Sequence, residues 1–415
     1  MDRYIVNGNK KLSGRVRVHG AKNAVLPIMA ATVLCSDKCT IYDCPELSDV
    51  RSTINILKTL GCKASLTGDI LTVDSSTISS CEIPEELMRE MRSSIIFLGA
   101  LAAKMGRARL SAPGGCELGN RPIDLHIKAL RELGIEIRES NGYIEAIADH
   151  AHANDIHLSF PSVGATENII LSSVCLKGET TISNAAKEPE ITDMCNFLNK
   201  MGAHIEGAGT EIIRISGVPH LKGTDYKVMP DRIVASTLMC TAMTARSEIE
   251  LLNVRKDHLS AVVSVLRESG ARIEFFKDKM YIRAPEKIQS VDMIKTQVYP
   301  GFPTDAQSPV MAVLCFSSGT SVIVENIFES RYKIIPELAK MGADILQDGR
   351  VAIIKGQKLC GANVRAMDLR GGAALTIAAL GAEGESTIEG VHYIDRGYVA
   401  LEKMLCDVGA DIRRI

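Results

Sequence analysis

The chain has 415 residues, of which 46% are hydrophobic, 24% charged and 4% aromatic. That is enough apolar chain to bury more than one core, and it excludes general disorder. Lys and Arg total 48 against 50 Asp and Glu, a net charge of −2 with no Trp, so a general nucleic-acid binder with a basic surplus or a base-stacking platform is not expected.

The first stretch, MDRYIVNGNKKLSGRVRV, alternates apolar and polar residues and lacks the apolar core of a secretory signal. No uncharged apolar run reaches the ~18 residues that span a bilayer. The cytoplasm is therefore the expected compartment, with no membrane partner. The 12 cysteines are scattered without a C-x-x-C pair, so reduced, buried thiols are expected rather than a disulfide scaffold.

In chain order, one unit recurs six times. A helix end followed by Gly and a strand appears at Gly61, Gly134, Gly202, Gly270, Gly342 and Gly409, at spacings of 73, 68, 68, 72 and 67 residues. Each glycine follows an amphipathic pattern such as IDLHIKALREL and suits the left-handed residue that ends a helix. Two short alternating strands follow five of them, as in ARIEFFKDKMYIRA. Upstream in each unit lie an apolar helix pattern, such as ENIILSSVCL, and then a strand running into a loop, such as ETTISNAAKE. A unit of about 70 residues thus reads strand, loop, helix, strand, loop, helix, strand, strand. The sixth unit lacks its closing strand, and the N-terminal segment has surplus strands at Tyr4–Val6 and Arg15–Val18. The expected organisation is two domains of three units, 22–229 and 1–21 with 230–415, rather than an open solenoid.

Each unit has two strand-to-helix loops, the usual place for function in α/β folds. The first loops carry Lys22-Asn23, Arg92, Ser162-Val163-Gly164, Asp231, Asp305 and Asp368 to Arg370; the second carry Arg121, Glu188, Lys256, Arg331 and Arg396. Recurring Arg, Lys and Asp at equivalent positions point to a small anionic, phosphorylated substrate with carboxylates for proton transfer. The segment PGGCELGNRP stands out, because its glycines make it a loop and a loop cysteine, Cys116, is not an ordinary core thiol. Arg121 nearby would favour its thiolate. Phosphate-loop, dinucleotide, zinc-protease and G-x-S-x-G signatures are absent. No metal or cofactor is expected, and His126 reads as a structural contact.

The motifs HGAKNA (19–24), PGGCELGNRPIDLH (113–126), PSVGATEN (161–168), PTDAQ (303–307), ENIFESRY (325–332), MDLRGG (367–372) and HYIDRGY (392–398) span the whole chain. Together they resemble the enolpyruvyl transferases, in particular the branch that acts on UDP-N-acetylglucosamine. The resemblance implies two inside-out α/β barrel domains, each of three repeats, facing across an active-site cleft. It also implies transfer of the enolpyruvyl group of phosphoenolpyruvate to the 3′-hydroxyl of UDP-N-acetylglucosamine. Phosphate is released through a tetrahedral ketal, at the first committed step of peptidoglycan synthesis. Cys116 matches the family's proton donor, the target of the epoxide fosfomycin. Lys22, Arg121 and Arg396 match its phosphoenolpyruvate-binding cations, with Arg331 a helper and Asn23 beside the intermediate. Asp305 matches the base at the sugar hydroxyl and Asp368 a second carboxylate. Arg92, the run Arg121, Pro122, Ile123, Asp124 and Leu125, then Ser162, Val163, Gly164 and Ile327 match the nucleotide-sugar contacts. Phe160 departs from the pattern, standing where some relatives carry lysine. The sister activity on shikimate-3-phosphate lacks the PGGC loop. A non-catalytic repeat scaffold would need a basic concave face, whereas these charges are mixed and gathered in loops. The sequence sets no oligomeric state.

Overall fold

The structure, a computed structural model, describes residues 2–111 and 123–415, apart from the side chain of Arg92. The chain forms two compact units, one of residues 2–19 with 230–415 and the other of residues 20–111 with 123–229.

Six four-stranded sheets share one plan among the described residues. A short strand lies parallel to its neighbour, and two antiparallel pairings follow. In the second repeat Glu82–Ile83 runs parallel to Arg107–Ser111, which pairs antiparallel with Tyr143–Ile147, and that with Glu136–Ser140. The repeats interlock by lending strands. Asp225–Lys227 lies parallel to Lys38–Tyr42 of the first repeat. Arg15–Arg17 lies parallel to Glu248–Leu252 of the fourth. Arg3–Asn7 fills an inner place in the sixth sheet, between Glu385–Glu389 and Asp411–Arg414.

The strands bury alternate residues, as Arg107–Ser111 and Glu248–Leu252 show, so one sheet face is covered and the other wet. The covered faces pack around apolar helices. In one unit these are Arg232–Thr244, Thr304–Leu314 and Leu369–Gly381, which touch pairwise and are almost wholly buried. In the other they are Lys22–Ala31, Phe97–Met105 and Val163–Ser173. Helices inside and sheets outside make each unit an inside-out α/β barrel. The six repeat glycines take φ between +74° and +106°, a region that a side chain would strain, so each helix stops there and the chain turns into a strand. Among the described residues, no helix is long and apolar enough to cross a membrane.

The apolar stretch from Ser93 to Ala103 is not one continuous helix. It starts as a 3-10 turn, Arg92–Ile96, before the helix Phe97–Met105. The cysteines also depart in part: Cys360 and Cys406 are exposed, while most of the other described ones are buried and all are free thiols.

Candidate active site

The residues expected in the first loops sit in, or directly before, the first turns of the central helices. Lys22 and Val163 open Lys22–Ala31 and Val163–Ser173, and Arg92 begins the turn before Phe97–Met105. Asp231, Asp305 and Asp368 lie at the starts of Arg232–Thr244, Thr304–Leu314 and Leu369–Gly381. Some of these residues cap their helices. The Ser162 hydroxyl accepts from the N–H of Ala165. Asp231 Oδ1 accepts from Ile233 (2.8 Å) and Val234 (3.0 Å). Asp368 Oδ1 accepts from Arg370 (3.0 Å) and Gly371 (2.9 Å). The starts at Lys22 and Thr304 have no side-chain cap, since Ala21 and Pro303 stand there. A helix start of that kind leaves backbone N–H groups and positive potential for an anion.

Asp305 occupies the first turn of its helix without capping it. Its Oδ1 accepts from Arg331, and its Oδ2 lies 3.6 Å from Arg370 Nη2. Both guanidinium groups are buried, Arg331 at 1% exposed and Arg370 at 3%. Burial opposes the charge on Arg370. The carboxylates of Asp305 and Asp231, with Tyr398, outweigh burial and hold the guanidinium protonated even beyond its usual range. The guanidinium carbon of Arg370 lies 5.5 Å from the centroid of the Tyr398 ring, and the Tyr398 hydroxyl is 2.7 Å from that of Thr237. Burial pushes the Tyr398 phenol up. The cluster is a carboxylate clamped by two desolvated cations, the environment in which charge-assisted hydrogen bonds are strongest.

In the other unit the Lys22 ammonium lies 2.6 Å from Asp49 Oδ2, both groups buried. Asp49 stands in the first turn of Ser48–Thr59. Asn23, next to Lys22, is exposed. A second centre forms around Asn168, buried in Val163–Ser173. Its amide nitrogen is 3.1 Å from the carbonyl of Ile95 and 2.7 Å from His126 Nδ1, while its oxygen accepts from the N–H of Gly99 (2.9 Å). One side chain thus joins the turn that begins at Arg92, the helix Asp124–Glu132 and the helix that begins at Val163. Gly164 lies against the same imidazole, because a Cβ there would come 2.8 Å from His126 Cε1. Glycine is required at Gly164 by close approach.

The family model of EPSP synthase (3-phosphoshikimate 1-carboxyvinyltransferase) matches residues 6–405. A Caldanaerobacter subterraneus subsp. tengcongensis protein called UDP-N-acetylglucosamine 1-carboxyvinyltransferase 2 is 51% identical, with all of both chains covered. One from Carboxydothermus hydrogenoformans, UDP-N-acetylglucosamine 1-carboxyvinyltransferase 1, is 47% identical, covering 100% of this chain and 99% of its own. The chain belongs to the enolpyruvyl transferase family. Among solved structures, the enolpyruvyl transferase NikO from Streptomyces tendae is similar at a TM-score of 0.90 and 26% identity, covering 100% of this chain and 98% of its own. EPSP synthase from Acinetobacter baumannii shares the fold at a TM-score of 0.77 and 18% identity, with 100% and 99% covered.

Of the residues that the family resemblance singles out, Asp305 and Arg331 come together, and so do the backbones around Arg92, Asp124, Leu125 and Ser162 to Gly164. Ile123 precedes Asp124–Glu132 as the residue at its cap position. Ile327 lies in the segment that leads to Arg331, and its N–H donates to Glu325. Arg396 follows the short helix Val391–Ile394 and is half-buried. Asp368 proves to be a helix cap. Cys116, Arg121 and Pro122 lie outside the described residues. Phe160 is exposed. Sequence reasoning missed Asp49, Asn168 as a hub, and Glu325. Asp49 resembles any acid in a helix's first turn, and only the fold brings it to Lys22.

Proposed function

We propose that this enolpyruvyl transferase moves the enolpyruvyl group of phosphoenolpyruvate to the 3′-hydroxyl of UDP-N-acetylglucosamine and releases phosphate, in the cytoplasm, at the first committed step of peptidoglycan synthesis. The observation that carries this reading is identity of 51% and 47% over essentially full length to two proteins of that one name. The geometry supports it with a carboxylate held by buried cations in one unit and a buried lysine at an uncapped helix start in the other.

The chemistry assigns the work. C3 of phosphoenolpyruvate takes a proton, C2 becomes electrophilic, and the sugar oxygen adds to it as the hydroxyl proton leaves. The tetrahedral ketal then loses phosphate and a C3 proton. In this proposal Asp305, an acceptor-only group when ionised, receives the hydroxyl proton. Lys22, Arg121 and Arg396 meet the donor's phosphate, Arg331 its carboxylate, and Asn23 the intermediate. Cys116 supplies the C3 proton, a role suited to a thiol. Asp368 is the second carboxylate near the reacting centre, and its Oδ1 also fixes the start of Leu369–Gly381. Arg92, Arg121 to Leu125, Ser162 to Gly164 and Ile327 hold the nucleotide sugar.

Phosphate release from phosphoenolpyruvate, measured with UDP-N-acetylglucosamine and separately with shikimate-3-phosphate, tests the reading. Release with the nucleotide sugar is expected. Release with shikimate-3-phosphate alone would replace it with the sister activity.

A further inference from the structure

Glu325 directly follows the strand Thr320–Val324 and is 1% exposed. Its carboxylate takes four hydrogen bonds. Oε1 accepts from the Thr296 hydroxyl (2.8 Å) and from the N–H groups of Ile327 (2.9 Å) and Phe328 (3.0 Å). Oε2 accepts from the Thr304 hydroxyl (3.0 Å). Three of these donors share Oε1 and one meets Oε2, so both oxygens of the carboxylate are engaged. The Thr304 oxygen in turn accepts from Arg331 Nε (3.2 Å). Thr296 adds a second tie, since its hydroxyl accepts from the N–H of Asn326 (2.8 Å) and its carbonyl from the Asn326 amide (3.1 Å).

Two pieces of backbone therefore meet on one buried carboxylate. One is the uncapped helix start that carries Asp305. The other is the segment 325–331 that carries Ile327 and Arg331. We infer that Glu325 is a positioning residue for the proposed reaction, holding Asp305, Arg331 and Ile327 in one register through Thr304 and two backbone amides. The inference rests on the proposed function. Only a carboxylate meets the geometry, because all four partners are used as donors. A glutamine has one accepting end and one donating end, so an N–H group would face the Thr304 hydroxyl or the turn of Ile327 and Phe328. If it faces Thr304, that hydroxyl must accept from both the amide and Arg331, and its own proton loses its partner.

The test compares the parent with Glu325→Gln, Thr304→Val and the double variant. The expected result is a fall in kcat of about 10- to 100-fold for Glu325→Gln, the cost of a small misplacement of reacting groups. The KM for UDP-N-acetylglucosamine should rise as well, through Ile327. Thr304→Val should lose kcat in the same direction. The double variant should be no worse than the more damaged single one, within about twofold, because both act through one link. Hydrogen exchange at the Ile327 and Phe328 amides should quicken in Glu325→Gln and stay unchanged in Thr304→Val. Full kcat with a lowered Tm in Glu325→Gln would make Glu325 a fold residue only and overturn the inference, as would fully multiplicative losses or unchanged exchange. Failure of the parent to release phosphate with UDP-N-acetylglucosamine would strike the proposed function instead. The exchange at Ile327 and Phe328 would then still decide whether Glu325 organises the segment.

Discussion

Asp305 and Asp368 both stand at the starts of central helices, but they are bonded to different things. Asp368 spends one oxygen on two backbone N–H groups of its own helix, whereas Asp305 faces Arg331 and Arg370. The first is capping and the second is not, so the two should fail differently. Asp305→Asn should lower kcat by about 10² or more, the range of a lost general base, with less effect on nucleotide-sugar affinity. Asp368→Ala should lower stability by about 1 kcal/mol, the usual worth of a cap, and shift Tm by about 2–4 °C for a unit of this size. Steady-state kinetics and thermal melts on both variants check the pair. A normally active Asp305→Asn that melts early would move Asp305 to the fold.

At the scale of elements, the helix Val163–Ser173 carries a group that its sequence pattern hides. Glu167 is buried in it, and burial first, then the charges of Glu190 and Glu188, push its carboxyl well above the usual value. The folded chain therefore binds a proton there that the unfolded chain releases above about pH 4.5. Stability from this group is full below that pH and is lost as pH rises, by about 1.4 kcal/mol per unit until the carboxyl ionises. Glu167→Gln copies the protonated shape and carries no such penalty. It should match the parent's Tm near pH 4 and exceed it near pH 8, measured by calorimetry at both. A variant less stable than the parent at pH 8 would mean that the charge itself is needed there. The helix was legible as an apolar run, and so were the six glycines, because a stop signal and a buried face depend on near neighbours. Asn168 was legible only as part of a motif. Its partners, Ile95, Gly99 and His126, lie 73, 69 and 42 residues away. The Glu325 hub and the Lys22–Asp49 pair were hidden for the same reason: loop charge can be read from sequence, but its partner is set by how repeats stack. The segment holding Cys116 could be read from its residues alone.

Across the whole molecule, the interlocking of repeats assigns weight to short strands. Arg3–Asn7 is five residues long, yet it has a partner strand on each side. The Tyr4 hydroxyl donates to Glu402 (2.9 Å) in the interior. Deleting residues 2–8 should leave two unpaired strand edges and an open core in that unit, while the unit of 20–111 with 123–229 keeps all its own strands. Calorimetry should then show an early transition, or none, for the first unit and a retained one for the second. A single transition at the parent's temperature would show that the strand is dispensable. The strand Arg3–Asn7 was visible in the sequence by counting, because five units each had a closing strand that the sixth lacked, whereas Arg15–Arg17 serves the fourth sheet, which the count did not reveal.

That borrowed strand also sets an order of events during synthesis. Arg3–Asn7 leaves the ribosome long before its partners, Glu385–Glu389 and Asp411–Arg414. At about 5–20 residues per second it waits roughly 20–80 s for them. Arg15–Arg17 waits for Glu248–Leu252 as well. Meanwhile the sheets of residues 38–227 have every strand they need once Asp225–Lys227 emerges. The nascent chain therefore completes the sheets of residues 38–227 before those that hold Arg3–Asn7 and Arg15–Arg17. Arg15–Arg17 gains its neighbour once Glu248–Leu252 is made, whereas Arg3–Asn7 stays without a sheet until Asp411–Arg414 is translated.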